Sequence, residues 1–582
     1  MREMSKQRGG KAPTDPSSYW LVALIGLGFL LVGALWLGGT IGAYFSGAGW
    51  NPPPFTFETL FTALSGENVW AGASNGAVVI GMVAVVGFLF IFGVLLIMLI
   101  GGGGSGGLAD RNQVGELAPA AAAAKAKRLR RSLKDQKTVA PADRGLLLGE
   151  LAPSGPELRA SWEDVAVVFM GPRSGKTSAL AVPNVLQAPG PCVVTSNKSD
   201  IYAITARERG RKGRVWLFDP QSIAHADRDM WWDMLAMART IEGANRLAMH
   251  LVSANGTAES GDDFWAKAGQ NLLRIMLHAA AIDDRSLAEV LDWLSDPGNQ
   301  TPLIILRNRG LTALSENLDG TVRGAPETRD GIYEHARQAV ACLLDPEVLA
   351  WVSPDPEREQ FIPGDFVRSP DTFYLLSKDG GGGAAGVVAA AADACMRAAV
   401  AVAEASPGGR LDPPMEAILD EACNVCKIQD LPDLYSHLGS RGILPVTVMQ
   451  SYEQGVRVWG KSGMDSLWSA ATIKLLGSGL DDQAFADRIS SLVGEQYVNE
   501  SSRSSGRDGG SVTRSQKRER IMDVSEVREI KKGTALLFAT STRPAKLKLK
   551  PWYLEKNVKT ISADQAAEEK AIAERATKRL SL

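Results

Sequence analysis

From Val167 to Leu180 the chain reads VVFMGPRSGKTSAL. An apolar run gives way to a glycine turn, then to a lysine and a hydroxyl that open a helical stretch. A short uncharged strand passing through such a turn into a helix belongs to a parallel sheet covered on both faces. The order Gly175-Lys176-Thr177 belongs to a loop that cradles phosphate. The signature G-x-x-x-x-G-K-[ST] asks for glycine at position 170, but Met170 stands there and the glycine comes one place late, at Gly171. The chemistry does not require that first glycine. It requires inward-facing backbone N–H groups, a lysine for the β/γ-phosphates, a hydroxyl for Mg²⁺ and a helix N-terminus behind them. Gly171, Pro172, Arg173, Ser174, Gly175, Lys176, Thr177 and Ser178 are therefore expected to bind nucleotide, with Thr177 also at the metal.

The rest of the chain supports a sheet around this loop. Apolar runs at Val165–Met170, Cys192–Thr195, Val215–Phe218, Thr372–Leu376, Ala417–Leu419, Val446–Met449 and Ile473–Leu476 alternate with helical stretches. Thr534–Ala539 and Ala545–Lys550, around Arg543-Pro544, read as an edge hairpin. From about Trp231 to Asp355 the pattern is helical, with Phe264, Ala268, Leu272, Ile275, Met276 and Ala279 at helical spacing, which predicts an inserted all-helical domain. Gly380–Ala405 is helical and apolar too, but Asp393 and Arg397 lie within it, so it is expected to pack on the sheet. Glu500–Arg520, rich in Ser, Arg and Gly, reads as a mobile loop, and the last residues as a charged, solvent-exposed helix.

A nucleotide-hydrolysing site needs carboxylates beyond the loop. MEAILDE, Met415–Glu421, is an apolar strand ending in two acids. Asp420 is expected near Mg²⁺, and Glu421 near the attacking water, which it orients or deprotonates. Gln450 ends the next strand, PVTVMQ, where its amide would lie near Glu421 and sense the γ-phosphate. Arg441, before that strand, is expected to reach a neighbouring subunit's nucleotide as an arginine finger. Asn197-Lys198-Ser199-Asp200 resembles a guanine-reading N-K-x-D but follows the phosphate loop too closely, and the next strand ends Asp219-Pro220-Gln221-Ser222 without a D-x-x-G. Cys423 and Cys426 form a lone C-x-x-C, for which packing against the sheet is a better reading than zinc or redox chemistry. Five cysteines in 582 residues make no disulfide framework.

Tyr19–Thr40 and Ala77–Gly101 carry no charge, and each reaches the ~20 apolar residues that a spanning helix needs. Arg2, Lys6, Arg8 and Lys11 precede the first run; Lys125, Lys127, Arg128, Arg130, Arg131 and Lys134 follow the second; between them stand only Glu58 and Glu67. Both ends of the hairpin, and everything after it, are thus expected in the cytoplasm. The basic stretch after the second run either meets anionic lipid head groups or is a solvated helix face.

These stretches resemble one family, the type IV coupling proteins, inner-membrane ATPases of conjugative DNA transfer. The similar segments are RSGKT followed by VPNVL; VVTSNKSDIYAITARERGRKGRVWLFDP; FWAKAGQNLLRIMLHAAA; and LDPPMEAILDEACNVCKIQDLPDLYSHLGSRGILPVTVMQS, which carries the Asp-Glu, arginine and glutamine in the family's order. A non-glycine first position in the loop is usual in that family. The resemblance is specific from about Asp164 onward. It implies an α/β fold: a RecA-like P-loop NTPase domain with an inserted all-α domain, preceded by an N-terminal two-helix transmembrane hairpin. The expected boundaries are a cytoplasmic tail at 1–18, the hairpin at 19–101 (spans 19–40 and 77–101, loop 41–76), a linker at 102–150, the motor at 151–230 and 356–555, the helical domain at 231–355 and a tail at 556–582. It also implies ATP and Mg²⁺, a homo-hexameric ring with sites between subunits, a DNA channel, and docking of a DNA–relaxase complex onto a type IV secretion channel in the inner membrane. The net charge of −2 means that DNA contacts must come from local clusters, such as Arg207, Arg209, Arg211, Lys212 and Arg214, or from channel loops. Rival readings are a double-stranded DNA translocase, a secretion ATPase for protein alone, and a nucleotide-binding receptor or scaffold with little turnover.

Overall fold

The computed structural model describes residues 32–56, 58, 62, 65, 67, 69–100, 107–255, 264–378, 383–506, 509–540 and 542–581. The chain divides into two compact units, Met1–Gly107 with Gln496–Glu519, and Leu108–Glu495 with Arg520–Leu582.

The larger unit is built on one mixed sheet. Its centre holds the seven apolar runs read from the sequence: β3 (Ala166–Phe169), β4 (Cys192–Ser196), β5 (Val215–Phe218), β8 (Thr372–Leu376), β9 (Met415–Leu419), β10 (Ile443–Met449) and β11 (Ile473–Leu476). All pair in parallel, in the order β11-β3-β10-β9-β4-β8-β5. Strands buried on both faces read as near-continuous apolar runs, and β3, β4, β8, β9 and β10 are buried along their whole length. Alternation sends Val167 and Phe169 into the core on one face and Ala166, Val168 and Met170 into the core on the other.

The sheet continues beyond β11 in antiparallel order. β14 (Thr534–Ala539) pairs with β11 and β15 (Ala545–Lys548) with β14, the expected edge hairpin. It is not the edge. β1 (Leu146–Leu151) pairs with β15, and β2 (Glu157–Ala160) with β1. Residues 108–150 are therefore not a linker: Val114, Leu117, Ala126, Leu133 and Leu146 are buried in the core. Gly149 has φ 136 where the β1–β2 register shifts, and a Cβ there would sit 2.8 Å from the Lys548 carbonyl oxygen. That bulge breaks the alternation by which a strand is recognised in sequence.

Between β5 and β8 the chain is helical, with helices Ile241–Asn255, Phe264–Ile282, Leu287–Ser295, Thr301–Asn308, Thr312–Val322, Pro326–Ala339 and Pro346–Trp351 among the described residues. The block is closed at its base by a small parallel pair, β6 (Met230–Trp232) with β7 (Glu359–Phe361). Helix Ala385–Glu404 is apolar and long enough to cross a membrane, yet 67% of it is buried inside the fold.

The C-terminal segment is helical as expected, at Val558–Leu580, but it is not free in solvent. It lies on helix Asp200–Gly210, with Glu568 and Ile561 buried; Arg207 meets Glu568 at 3.0 Å and Arg211 meets Asp564 at 2.6 Å.

In the smaller unit, residues 32–43 and Asn75–Ile100 are helical. Cβ atoms at Gly38, Gly42 and Gly81 would lie within 2.6 Å of the backbone of the opposite helix. Glycines spaced four apart let two apolar helices touch backbone to backbone. Over Asn75–Phe92 only 11% is buried. The N-terminal tail and residues 19–31 of the first apolar run lie outside the described residues. Glu495–Gly506 and Gly509–Arg520, which take in the Glu500–Arg520 stretch read as a mobile loop, form two paired strands, β12 and β13.

Candidate functional site

β10 stands between β3 and β9, so the glycine loop and the paired acids are two strand spacings apart, about 9.6 Å. Side chains from the loop, and one from β10 between them, close that interval. The Lys176 ammonium pairs with a Glu421 carboxylate oxygen and lies 3.7 Å from Asp420. The Gln450 amide, leaving the C-terminal end of the intervening β10, donates to both Glu421 oxygens at 3.2 and 2.9 Å. Thr177 Oγ1 donates to Asp420 Oδ2 at 3.2 Å. Lys176, Thr177, Asp420, Glu421 and Gln450 thus converge at the C-terminal ends of three parallel strands.

The loop geometry accounts for Met170. Its N–H donates to the Met449 carbonyl at 3.0 Å, so it still belongs to the β-ladder, and its side chain is buried. Space for that side chain comes from Gly477, where a Cβ would approach the Met170 side chain to 2.6 Å. The turn begins at Gly171, whose N–H donates to the Ser478 carbonyl at 2.9 Å and whose missing Cβ would meet the Gly479 carbonyl oxygen at 2.6 Å. Position 170 is core, and the close backbone approach has moved to 171. Arg173 (φ 58) and Gly175 (φ 96) then take left-handed conformations that curl the loop. Ser174 is buried, and its hydroxyl has no hydrogen-bond partner among the described residues. Pro172 lies in the same turn, and Ser178 Oγ donates to the Gly175 carbonyl at 3.3 Å.

Behind the loop, a wide turn at Thr177–Ala181 runs into helix Val182–Gln187. Asn184 anchors it to β1: its amide donates to the carbonyls of Leu147 and Leu180 at 3.1 and 2.9 Å and accepts from the Leu147 N–H at 2.8 Å. This explains the asparagine of VPNVL as a structural residue.

On the acid side, Glu421 adopts φ 53, ψ 39, a left-handed conformation uncommon for a residue with a side chain. Asn424 donates to it at 3.4 Å, and Thr195 Oγ1 donates to the Asp420 carbonyl at 2.9 Å; neither was evident from sequence, since each acts through a turn or a neighbouring strand. Burial raises the Asp420 carboxyl to about 6, with Lys176 pulling it down and Glu421 pushing it up.

These residues fit a phosphate and a divalent cation. The loop holds a lysine and a buried, unpartnered hydroxyl, and the Thr177 hydroxyl faces the Asp420 carboxylate. Among the described residues no cluster of three or more His, Cys, Asp or Glu forms a separate metal site. Cys423 and Cys426 are buried in the main core.

Arg441 does not join this group within its own chain. It precedes β10, about 23 Å of strand from the end that carries Gln450, where it pairs with Glu404 at 2.9 Å. The cluster proposed for DNA is also elsewhere engaged. Arg209 is buried, donating to Thr372 Oγ1 and to the carbonyls of Ala188, Gly190 and Pro370. Lys212 donates to the Leu186 carbonyl at 2.6 Å, and Arg214 lies 3.5 Å over the Trp216 ring and pairs with Glu359. With Arg207 and Arg211 paired to the C-terminal helix, each member of the cluster has a partner within the fold; Arg209 is buried, while Arg207 and Arg211 stay at the surface.

Two family models match the chain: type IV secretory system conjugative DNA transfer, over residues 116–361, and the TraM recognition site of TraD and TraG, over 414–532. Together they cover more than half of it. Curated relatives include a conjugal transfer protein TraG of Agrobacterium fabrum, 22% identical over 409 residues, 68% of this chain and 61% of the relative. A TraG of Rhizobium radiobacter is 22% identical over 403 residues, 66% of this chain and 62% of the relative. The chain thus spans about three fifths of the length of these relatives. Among solved structures, the bacterial conjugative coupling protein TrwB in unbound form aligns with TM-score 0.52 and 19% identity, over 73% of this chain and 91% of that one. TrwB in complex with ADP and Mg²⁺ aligns with TM-score 0.51 and 18% identity, over 73% and 91%.

Proposed function

The chain belongs to the type IV coupling protein family, and on that premise we propose that it is a membrane-anchored ATPase motor that recruits conjugative DNA, with its attached relaxase, and moves it to a type IV secretion channel. The observation that carries this reading is the convergence of Lys176, Thr177, Asp420, Glu421 and Gln450 across β10.

In this reading, residues Gly171–Ser178 hold the phosphates of ATP, and Thr177 and Asp420 hold Mg²⁺. When bound, the metal neutralises charge on the phosphate oxygens. Lys176 exchanges its Glu421 partner for the β/γ-phosphates. Glu421, released from that pair and steadied by Gln450 and Asn424, orients the attacking water and accepts its proton. Asp420 must be ionised to hold a cation, and its pairing with Lys176 favours that form. Gln450, bound to Glu421 and set at the end of the central strand, senses whether a γ-phosphate is present. The nucleotide complexes of TrwB support the same use of this fold.

Arg441 is proposed to act in a neighbouring subunit of a homo-hexamer, since it lies at the far strand end of its own chain. The division into a motor at 151–230 and 356–555, a helical domain at 231–355 and a two-pass anchor is part of the same proposal. The glycine-packed helices 32–43 and Asn75–Ile100, and the exposed apolar surface over Asn75–Phe92, support an anchor with the motor in the cytoplasm. The segment similar to the TraM recognition site is proposed to receive the protein partner.

Lys176→Ala is the test: DNA transfer and nucleotide binding are lost while membrane insertion persists. Transfer that survives this change contradicts the proposal. Mixing Arg441→Ala subunits with Lys176→Ala subunits should restore part of the turnover that neither has alone; no restoration removes the inter-subunit role.

A further inference from the structure

Nine residues beyond Glu421, at Asp430, a largely buried charge network ties three elements together. Asp393, in the middle of helix Ala385–Glu404, is fully buried. His250, equally buried on helix Ile241–Asn255 of the helical block, meets its Oδ2 at 3.2 Å, and Arg246 of the same helix comes within 3.6 Å. Arg397 donates to Asp393 Oδ1 at 3.2 Å and, with its other end, pairs with Asp430. Asp430 closes the segment that starts at Glu421.

That segment is a stiff spacer. The Glu421 carbonyl accepts from the N–H groups of Asn424 and Val425, the Ala422 carbonyl from Cys426, that of Cys426 from Ile428, and that of Ile428 from Leu431. Ala422, Val425, Cys426, Ile428 and Leu431 are all fully buried. Trp459 Nε1 clamps the Ile428 carbonyl at 2.7 Å. A displacement of Asp430 therefore has no loose joint to absorb it before Glu421, whose left-handed backbone is already held by its surroundings. At the other side, a Cβ on Gly386 would sit 3.0 Å from the His250 carbonyl oxygen, so the two helices touch backbone to backbone beside the network.

Stability does not explain the arrangement. Burial raises the Asp393 carboxyl, and the His250 hydrogen bond with the charges of Arg397 and Arg246 more than offsets it. A well-packed apolar set in the same place would commonly be at least as stable. Moreover His250 Nδ1, Arg246 Nε and Asp430 Oδ1 are buried without hydrogen-bond partners among the described residues. A partly satisfied buried network costs stability and leaves groups ready to pair differently after a small shift.

We propose that Arg397 and Asp430 are positioning residues for Glu421, and that His250 and Asp393 carry the position of the helical block to them. The inference rests on the ATPase reading above. It makes the block a partner of the hydrolytic step, through one side-chain chain, and not only a separate surface for substrate.

The test is steady-state hydrolysis by the full chain in detergent, with nucleotide affinity measured separately using a fluorescent ATP analogue. Arg397→Met is expected to lower kcat about tenfold or more with nucleotide Kd within about twofold, the pattern of a misplaced group and not of lost binding. Arg397→Lys, which keeps the charge and the fold, should recover most of the rate. Asp430→Asn should resemble Arg397→Met. An Arg397→Met protein with wild-type kcat, or one that loses affinity and rate together, overturns the proposal. If Arg397→Met does not fold, Asp430→Asn decides by the same criteria. A wild-type protein with no Glu421-dependent turnover overturns the ATPase reading and this inference with it; normal wild-type turnover with unaffected variants overturns this inference alone.

Discussion

At residue 170 a departure from a signature turns out to be a relocation. Met170 directly follows β3 and packs into the core, and Gly477 leaves the space it fills. The glycine that a phosphate loop needs for close backbone approach is Gly171, against Gly479. Restoring the common signature should therefore harm the protein. Met170→Gly is expected to cost about 2–5 kcal/mol through the cavity it leaves, read as a fall in Tm, while nucleotide affinity does not improve. Tighter nucleotide binding at unchanged Tm would contradict this account of the loop. Residues that act through the chain's own chemistry were legible in sequence: the lysine, the hydroxyl, two acids at a strand end and a glutamine at the next. Asn184, Asn424 and Thr195 were not, because their roles depend on which backbone carbonyl or side chain a folded neighbour brings within reach.

Elements were legible where burial dictates composition. The seven central strands are covered on both faces and so read as near-continuous apolar runs. β1 and β2 escaped notice because Gly149 breaks their register and they stand beside turns. β12 and β13 were hidden by a Ser/Arg/Gly composition that matches a loop. The charged C-terminal helix and the basic run at Arg207–Arg214 each looked solvent-facing alone. In the fold they satisfy one another, through Arg207–Glu568 and Arg211–Asp564, and Arg575 donates to Glu568 and to the Ala224 carbonyl. Truncation before Lys556 should thus free Arg207 and Arg211. Non-specific DNA binding by the truncated protein should tighten, and its salt dependence should steepen by about one phosphate contact or more, as measured by titration at several salt concentrations. Unchanged affinity and slope would mean that the helix does not mask these arginines.

At the scale of the whole molecule, three layers meet at one strand end: a sheet that places a loop and two acids on either side of β10, a helical block inserted between β5 and β8, and a helix, Ala385–Glu404, packed against both. The near-neutral charge of −2, and the pairing of the Arg207–Arg214 cluster within the fold, leave any DNA binding to local surfaces. The most direct test is ATP hydrolysis by the full chain with single-stranded DNA, comparing wild type with Glu421→Gln at matched nucleotide occupancy. The variant is expected to bind ATP as well as wild type and to lose hydrolysis by roughly 10²–10⁴-fold, the contribution of a general base. Hydrolysis that persists at the wild-type rate in Glu421→Gln would contradict that role.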